Sequence, residues 1–249
     1  MVRGDAQRFI ASAFSNDKMT RYRTVFIDLD DTLYDFSAAS RASFNETYDL
    51  LGYNRFFDSF EHYMSLYKPR NLELWGLYGD GKITKQELNR IRFSYPLETV
   101  GVHDSELAAR FCAEALRRIP TKDCLIPGAV ELLEYLHPKY KLYILSNGFK
   151  ELQSHKMRTT GILHFFSDLV LSDDIGVNKP HPQLFMHALE RAGATAEESI
   201  MIGDMFETDI KGAANVGIDQ IFYNHQSAGQ LPFAPTFVVN VLDEIKDIL

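Results

Sequence analysis

The chain has 249 residues, 45% of them hydrophobic and 24% charged, a composition able to bury one large core or two modest ones. Its formal net charge of -8 argues against a nucleic-acid polymer as ligand, because tracking a phosphate backbone needs a basic face. Cys112 and Cys124 make neither a disulfide framework nor a zinc motif, and they suit a reducing, cytoplasmic setting. No stretch approaches the ~20 apolar residues of a membrane span.

Residues 1–18 read as an extension ahead of the fold. "RFIASAF" within it ends somewhat like a leader cleavage site, but its apolar part is short and follows Asp5, which does not suit a secretory leader. Met19 is the expected functional start. Then "TVFIDL" (24–29) reads as a buried strand, apolar and rich in β-branched and aromatic residues. Asp28 lies near its end, with Asp30 and Asp31 just beyond. Carboxylates this close repel one another and are costly beside a core, so the cluster calls for a chemical reason.

Residues 37–120 look helical throughout. "SAASRASFNETYDLLG" is expected to end at Gly52, "RFFDSFEHYMSLYKP" at Pro69 and "SELAARFCAEALRRIP" at Pro120. The last places Leu107, Phe111, Ala115 and Ile119 four apart, the spacing of one buried helix face. "GLYGDGKITKQE" partly imitates a calcium loop. Gly76 and Tyr78 stand where oxygen ligands are required, so Thr84 capping a helix with Glu87 at N3 is the better reading.

From residue 121 on, strands alternate with helices. "KLYILS" (141–146), "DLVL" (168–171), "SIMIGD" (199–204), "QIFYN" (220–224) and "TFVV" (236–239) read as strands, with helical patterns stopping at Gly161, Gly193 and Gly217. Such alternation implies an α/β fold: a Rossmann-like parallel sheet with helices on both faces. Residues 19–36 and 121–249 would form that core, and 37–120 an inserted all-helical cap domain.

Parallel α/β sheets present ligands at the carboxyl ends of their strands. Asp28 and Asp30, two apart, can face the same side there. Ser146 and Asn147 end the second strand, Asp204 ends a later one with Asp209 five residues on, and "GVNKPHP" supplies Lys179. An oxygen-rich set of this kind suits a hard cation such as Mg²⁺, which would offset the repulsion within the aspartate cluster.

Taken together, Asp28-Leu29-Asp30-Asp31-Thr32, Ser146, Lys179-Pro180 and Gly203-Asp204 with Asp209 resemble the four motifs of the haloacid dehalogenase-like hydrolase superfamily, in order and in rough spacing. The resemblance covers nearly all of residues 22–240, with 37–120 matching the helical cap of the subgroup whose cap follows the first motif. It implies that Asp28 is a nucleophile forming an aspartyl-phosphate, and that Asp30 is the general acid and base. Mg²⁺ would be held by Asp28, the Asp30 carbonyl and Asp204, with Asp209 orienting the metal shell. Ser146 and the Asn147 backbone would hold phosphoryl oxygens, Lys179 would neutralise charge and Thr32 would brace the loop. Ser146 can equally be read as a helix N-cap, and Asp31 as a turn or solvent-facing residue. Dehalogenase relatives lack an acid two residues after the nucleophile, so Asp30 favours phosphoester cleavage.

The cap segment "LW…Y..G.IT…L…RF" and the "SNGF" stretch are similar to noncanonical pyrimidine 5′-nucleotidases of this superfamily. That likeness implies a nucleoside 5′-monophosphate substrate, with Arg70, Asn71, Trp75 and Arg92 as candidate cap contacts, although aromatic cap residues also serve simply to pack helices. Sugar-phosphate or other small-metabolite hydrolysis, a phosphomutase and a phosphonatase stay open, as does a non-catalytic protein phosphorylated on Asp28. The expected partner is a small phosphorylated metabolite, and the chain is expected to be a monomer or homodimer.

Overall fold

The structure, a computed structural model, describes residues 21–226 and 229–249. The extension over 1–18 and the expected start at Met19 lie outside the described residues.

Six parallel strands form one sheet: β1 (Thr24–Ile27), β2 (Lys141–Ser146), β3 (Asp168–Leu171), β4 (Ser199–Gly203), β5 (Asp219–Tyr223) and β6 (Phe237–Val239), in the order β3-β2-β1-β4-β5-β6. Residue alternation sends Val25 and Ile27 to one face and Phe26 to the other. Both faces are covered, which is why these strands read as continuous apolar runs. On the first, Val25, Ile27, Ile144, Ile200 and Ile202 meet α5 (Ala129–Leu136) through Leu132, Leu133 and Leu136. On the other, Phe26, Leu145 and Met201 meet α7 (Pro182–Ala192) through Leu184, Phe185 and Ala188.

Between β1 and β2 the chain leaves the sheet and builds four helices: α1 (Phe36–Leu50), α2 (Phe60–Gly79), α3 (Lys85–Thr99) and α4 (Ser105–Arg118). They enclose their own core, in which Phe44 meets Phe93 and Phe111 edge to face and Tyr63 and Phe93 lie tilted against Phe111. Leu107, Phe111, Ala115 and Ile119 are all buried there, as their spacing predicts. Thr84 caps α3 and forms the capping box with Glu87.

One expectation is overturned. Helix α2 does not stop at Pro69 but continues ten residues further, to Gly79. An interior proline costs about 3 kcal/mol. Burial on both sides of it, of Tyr63, Met64 and Tyr67 before and Leu74 after, is worth ~1.5–3 kcal/mol per large side chain and outweighs that cost. The longer helix carries Trp75 and Tyr78 to the core, where they meet α6 (Lys150–Thr159) at its N-cap, Phe149.

The connections into and out of the insert are clasped together. Tyr34, fully buried, donates its hydroxyl to the carbonyls of Ile119 and Lys122, at 2.7 and 3.2 Å. Among the described residues no helix is long and apolar enough to cross a membrane.

Candidate active site

Strand order reverses direction between β1 and β4, and the crevice at such a switch point lies beyond the strands' carboxyl ends. Asp28 follows β1 directly, its N–H still bonded to Ile202 O at 2.9 Å. Asp204 follows β4. One carboxylate oxygen from each of Asp28, Asp204 and Asp209 lies within 4.8 Å of the other two.

Asp209 reaches this point by a local device. After Gly203 the chain turns through one π-helical turn, Phe206–Ile210, and Asp209 folds back to accept from Met205 N at 3.0 Å. A Cβ on Gly203 would overlap that carboxylate, so the glycine is what lets it approach.

Lys179 closes the cluster from below. Its ammonium lies 2.7 Å from Asp28 Oδ1, 2.7 Å from Asp209 Oδ1 and 2.8 Å from Leu145 O. All three donors of the ammonium thus find acceptors. Burial pulls the Lys179 pKa down, but Asp209 and Asp28 overcome this and hold it above the usual lysine value. The loop carrying it is gripped by Asn147, whose side chain accepts from Lys179 N at 2.7 Å and donates to Lys179 O at 3.1 Å.

Charge is not balanced in this cluster. Burial, with repulsion from Asp209 and Asp30 against the pull of Lys179, pushes Asp28 up to about 7. Burial and the neighbouring Asp28 and Asp209 push Asp204 up to about 8, despite the hydroxyl that Thr32 donates to it at 3.1 Å. Lys179 neutralises one carboxylate among three, so the donor set fits a divalent hard cation. Both oxygens of Asp209 are engaged, Oδ1 by Lys179 and Oδ2 by Met205 N, whereas Lys179 takes only Oδ1 of Asp28, so Asp28 and Asp204 are the carboxylates with an oxygen to offer one.

Of the residues expected from sequence, Asp28, Asp204, Asp209, Lys179 and Thr32 are brought together here. Asp30 stands alongside on the same loop. Ser146, 2% exposed, lies at the end of β2 and accepts at its Oγ from Gly148 N at 3.1 Å. Asp31 sits at φ 59°, in the left-handed region that Asp tolerates better than most residues, and its carboxylate accepts from Ser37 N and Oγ at 2.8 and 2.9 Å. It serves the turn into α1.

In the cap, Asn71 Oδ1 accepts from Tyr67 OH at 3.2 Å and from Arg92 Nη1 at 3.3 Å, and Arg92 lies 5.8 Å from the Trp75 ring. Trp75 in turn stacks on Phe149 at 5.7 Å, three residues past Ser146. Arg70 does not join them: it pairs with Glu73 at 2.6 Å and lies over Tyr95.

Sequence reasoning missed three side chains. Gln153 and Lys156 on α6 both reach Asp30, and His225 lies 3.8 Å from Asp204 Oδ2, stacked on Tyr223. Lys and Gln within "KELQSHKMRT" pass for solvent residues. Only the i, i+3 spacing of Gln153 and Lys156 beside the buried Met157 could have hinted that they face inward.

Fold and site together define a Rossmann-like α/β hydrolase with a helical cap inserted after its first strand. The family model for haloacid dehalogenase-like hydrolases matches residues 22–217, and the chain belongs to that family. It is 32% identical to YfnB of Bacillus subtilis (strain 168), which carries a HAD-hydrolase name, over 93% of this chain and 97% of that one. It is 34% identical to pyrimidine 5′-nucleotidase YjjG of Escherichia coli (strain K12), over 90% and 96% of the two chains. With pyrimidine 5′-nucleotidase PynA of Streptococcus pneumoniae it shares 31% identity, over 92% and 95%. A crystal structure of YfnB bound to magnesium, described as revealing interdomain movement, superposes with a TM-score of 0.80, covering 92% of this chain and 98% of that one.

Proposed function

We propose that this chain is a Mg²⁺-dependent phosphomonoester hydrolase that works through an aspartyl-phosphate on Asp28, and that its substrates are nucleoside 5′-monophosphates with a pyrimidine preference. The observation that carries the reading is the junction of Asp28, Asp204 and Asp209 around the Lys179 ammonium, with a second carboxylate, Asp30, on the nucleophile's own loop.

Phosphoryl transfer needs positioning and positive charge above all. Asp28 and Asp204, with the Asp30 carbonyl, would hold the magnesium, which when bound supplies charge for the phosphoryl oxygens and relieves the repulsion among the carboxylates. Asp28 attacks phosphorus as a carboxylate. The bond to the leaving oxygen breaks, and Asp30 gives that oxygen its proton. Asp30 then takes a proton from the water that attacks the aspartyl-phosphate, releasing inorganic phosphate and restoring the Asp28 carboxylate and the Asp30 carboxylic acid. Ser146 and backbone N–H groups at the end of β2 hold the transferring oxygens, and Lys179 draws Asp28 toward its ionised form and aims it.

The pyrimidine preference rests on two supports. Two near-full-length relatives are named pyrimidine 5′-nucleotidases. Trp75, Asn71 and Arg92 also form a linked aromatic and polar edge reaching the loop of Ser146, chemistry suited to a flat base with carbonyl oxygens. The test is phosphate release from UMP, dUMP, dTMP, AMP, sugar phosphates and an aryl phosphate with Mg²⁺, with EDTA and Asp28→Asn as controls. Selective turnover of the pyrimidine nucleotides, lost in both controls, is expected. Sugar phosphates as the best substrates would sink the nucleotide reading alone.

A further inference from the structure

Asp30 is held at both oxygens. Lys156 Nζ donates to Oδ1 at 2.6 Å and Gln153 Nε2 donates to Oδ2 at 2.9 Å. The same Gln153 nitrogen donates to Ser146 Oγ at 2.8 Å, and its Oε1 accepts from Lys156 at 2.7 Å. Four side chains thereby link into one chain of contacts, which the donor count permits: an amide nitrogen carries two protons and an ammonium three. The rest of the ammonium faces Phe36 at 4.6 Å and Tyr34 at 5.3 Å.

Gln153 is 0% exposed and Lys156 2%. A buried ammonium is expensive to keep unless something requires it, and an apolar side chain would serve the packing of α6 as well. Among the described residues, the side chains Lys156 donates to are Asp30 and the glutamine that also holds Asp30.

We propose that Gln153 and Lys156 are positioning residues that fix the Asp30 carboxyl toward the leaving oxygen and orient the Ser146 hydroxyl toward the phosphoryl group. Ser146 Oγ accepts from both Gln153 and Gly148, so both lone pairs are occupied and its proton is left to donate outward. The bridge through one amide sets the acid–base carboxyl and the phosphoryl-binding hydroxyl in a common frame. A carboxyl that must serve first as acid and then as base on one substrate gains most from such a frame.

The inference rests on the reading of the site as a phosphoester hydrolase, and the test separates the two. Gln153→Met keeps the volume, removes both donations and buries no new charge; Lys156→Met is the second variant. The readout is kcat/KM on 4-nitrophenyl phosphate, whose phenolate departs without help, and on the alkyl phosphate that the wild type hydrolyses fastest. Asp30→Asn and the double variant Gln153→Met/Asp30→Asn complete a cycle. General acid catalysis contributes ~10²–10⁴-fold, and losing its alignment is expected to remove ~10–100-fold from the alkyl ester. The aryl ester should lose ~3-fold, the share of the Ser146 hydroxyl common to both esters, and the double variant should fall below Asp30→Asn by no more than that share. Equal losses on both esters, or additive losses in the double variant, would overturn the positioning role while leaving the hydrolase reading intact. A wild type that releases no phosphate from either ester overturns both.

Discussion

Asn147 holds the peptide of Lys179 from both ends, accepting from its N–H at 2.7 Å and donating to its carbonyl at 3.1 Å. The side chain at the end of β2 thus positions the loop whose ammonium joins Asp28 to Asp209. Asn147→Ala is therefore expected to leave Lys179 present but displaced. An error of about 1 Å in such a group can cost ~10²-fold, so kcat should fall ~10–100-fold. Two lost hydrogen bonds, at ~1 kcal/mol each, should lower Tm by only a few degrees. Mutant kinetics beside a melting curve decide it: a fall in Tm without a fall in kcat would show that the clasp merely stabilises the loop.

Magnesium binding should depend on pH with a definite sign. Asp28 and Asp204 are raised to about 7 and about 8, against ordinary values near 4. Their contribution to the stability of the metal-free protein is fully present at acid pH and is lost as pH rises through those raised values. A cation needs both groups ionised, so at pH 6 it must displace protons and at pH 9 it need not. The Mg²⁺-induced rise in Tm should be small at pH 6, grow through pH 7 and 8, and level off above. Apparent affinity should change by up to ~10-fold per pH unit for each proton displaced. Titrations of Tm against Mg²⁺ at four pH values test this, and a pH-independent shift would contradict it.

The far end of α2 meets the core around Phe149. Trp75 stacks on Phe149, Leu74 and Leu88 pack beside it, and Lys85 lies 3.8 Å over the Phe149 ring while pairing with Asp173 at 3.3 Å. The cap's own core around Phe44, Tyr63 and Phe111 is separate. Trp75→Ala should therefore leave the cap folded, lowering Tm only slightly, while weakening the contact made over substrate. KM for the preferred ester should rise ~10-fold, the ~1.4 kcal/mol expected of one stacked aromatic pair with its burial. An unchanged KM would place this contact outside the substrate-bound state.

Much of this was legible in the sequence. Strands buried on both faces announce themselves as apolar runs, so Asp28, Ser146 and Asp204 are legible as groups at strand ends and Lys179 as a loop residue held by Pro180. The path of α2 through Pro69 could not, because the local penalty of a proline is visible in sequence while the burial that outweighs it is tertiary. Gln153 and Lys156 were hidden for a similar reason. Nothing in their identity separates a solvent-facing Lys from one folded under a loop 126 residues away. The side chain of Asn147 is equally silent in the sequence, because its partner lies 32 residues on.

Gly148 gives the last prediction. It is not among the glycines with positive φ, so its backbone suits any residue. What forbids a side chain is space: a Cβ there would overlap the Gln153 amide. Gln153 is fully buried and has no solvent to swing into, so Gly148→Ala must push it off Ser146 and Asp30. Overpacking of this kind costs ~1–3 kcal/mol, a Tm lower by roughly 2–10 °C, and activity on an alkyl ester should fall with it. Adding Gln153→Ala separates the two effects. The double variant relieves the overlap, so Tm should recover toward that of Gln153→Ala alone, whereas kcat/KM should stay low because the bridge is gone. Recovery of activity together with Tm would mean that the glycine serves packing only and that the bridge contributes nothing to the reaction.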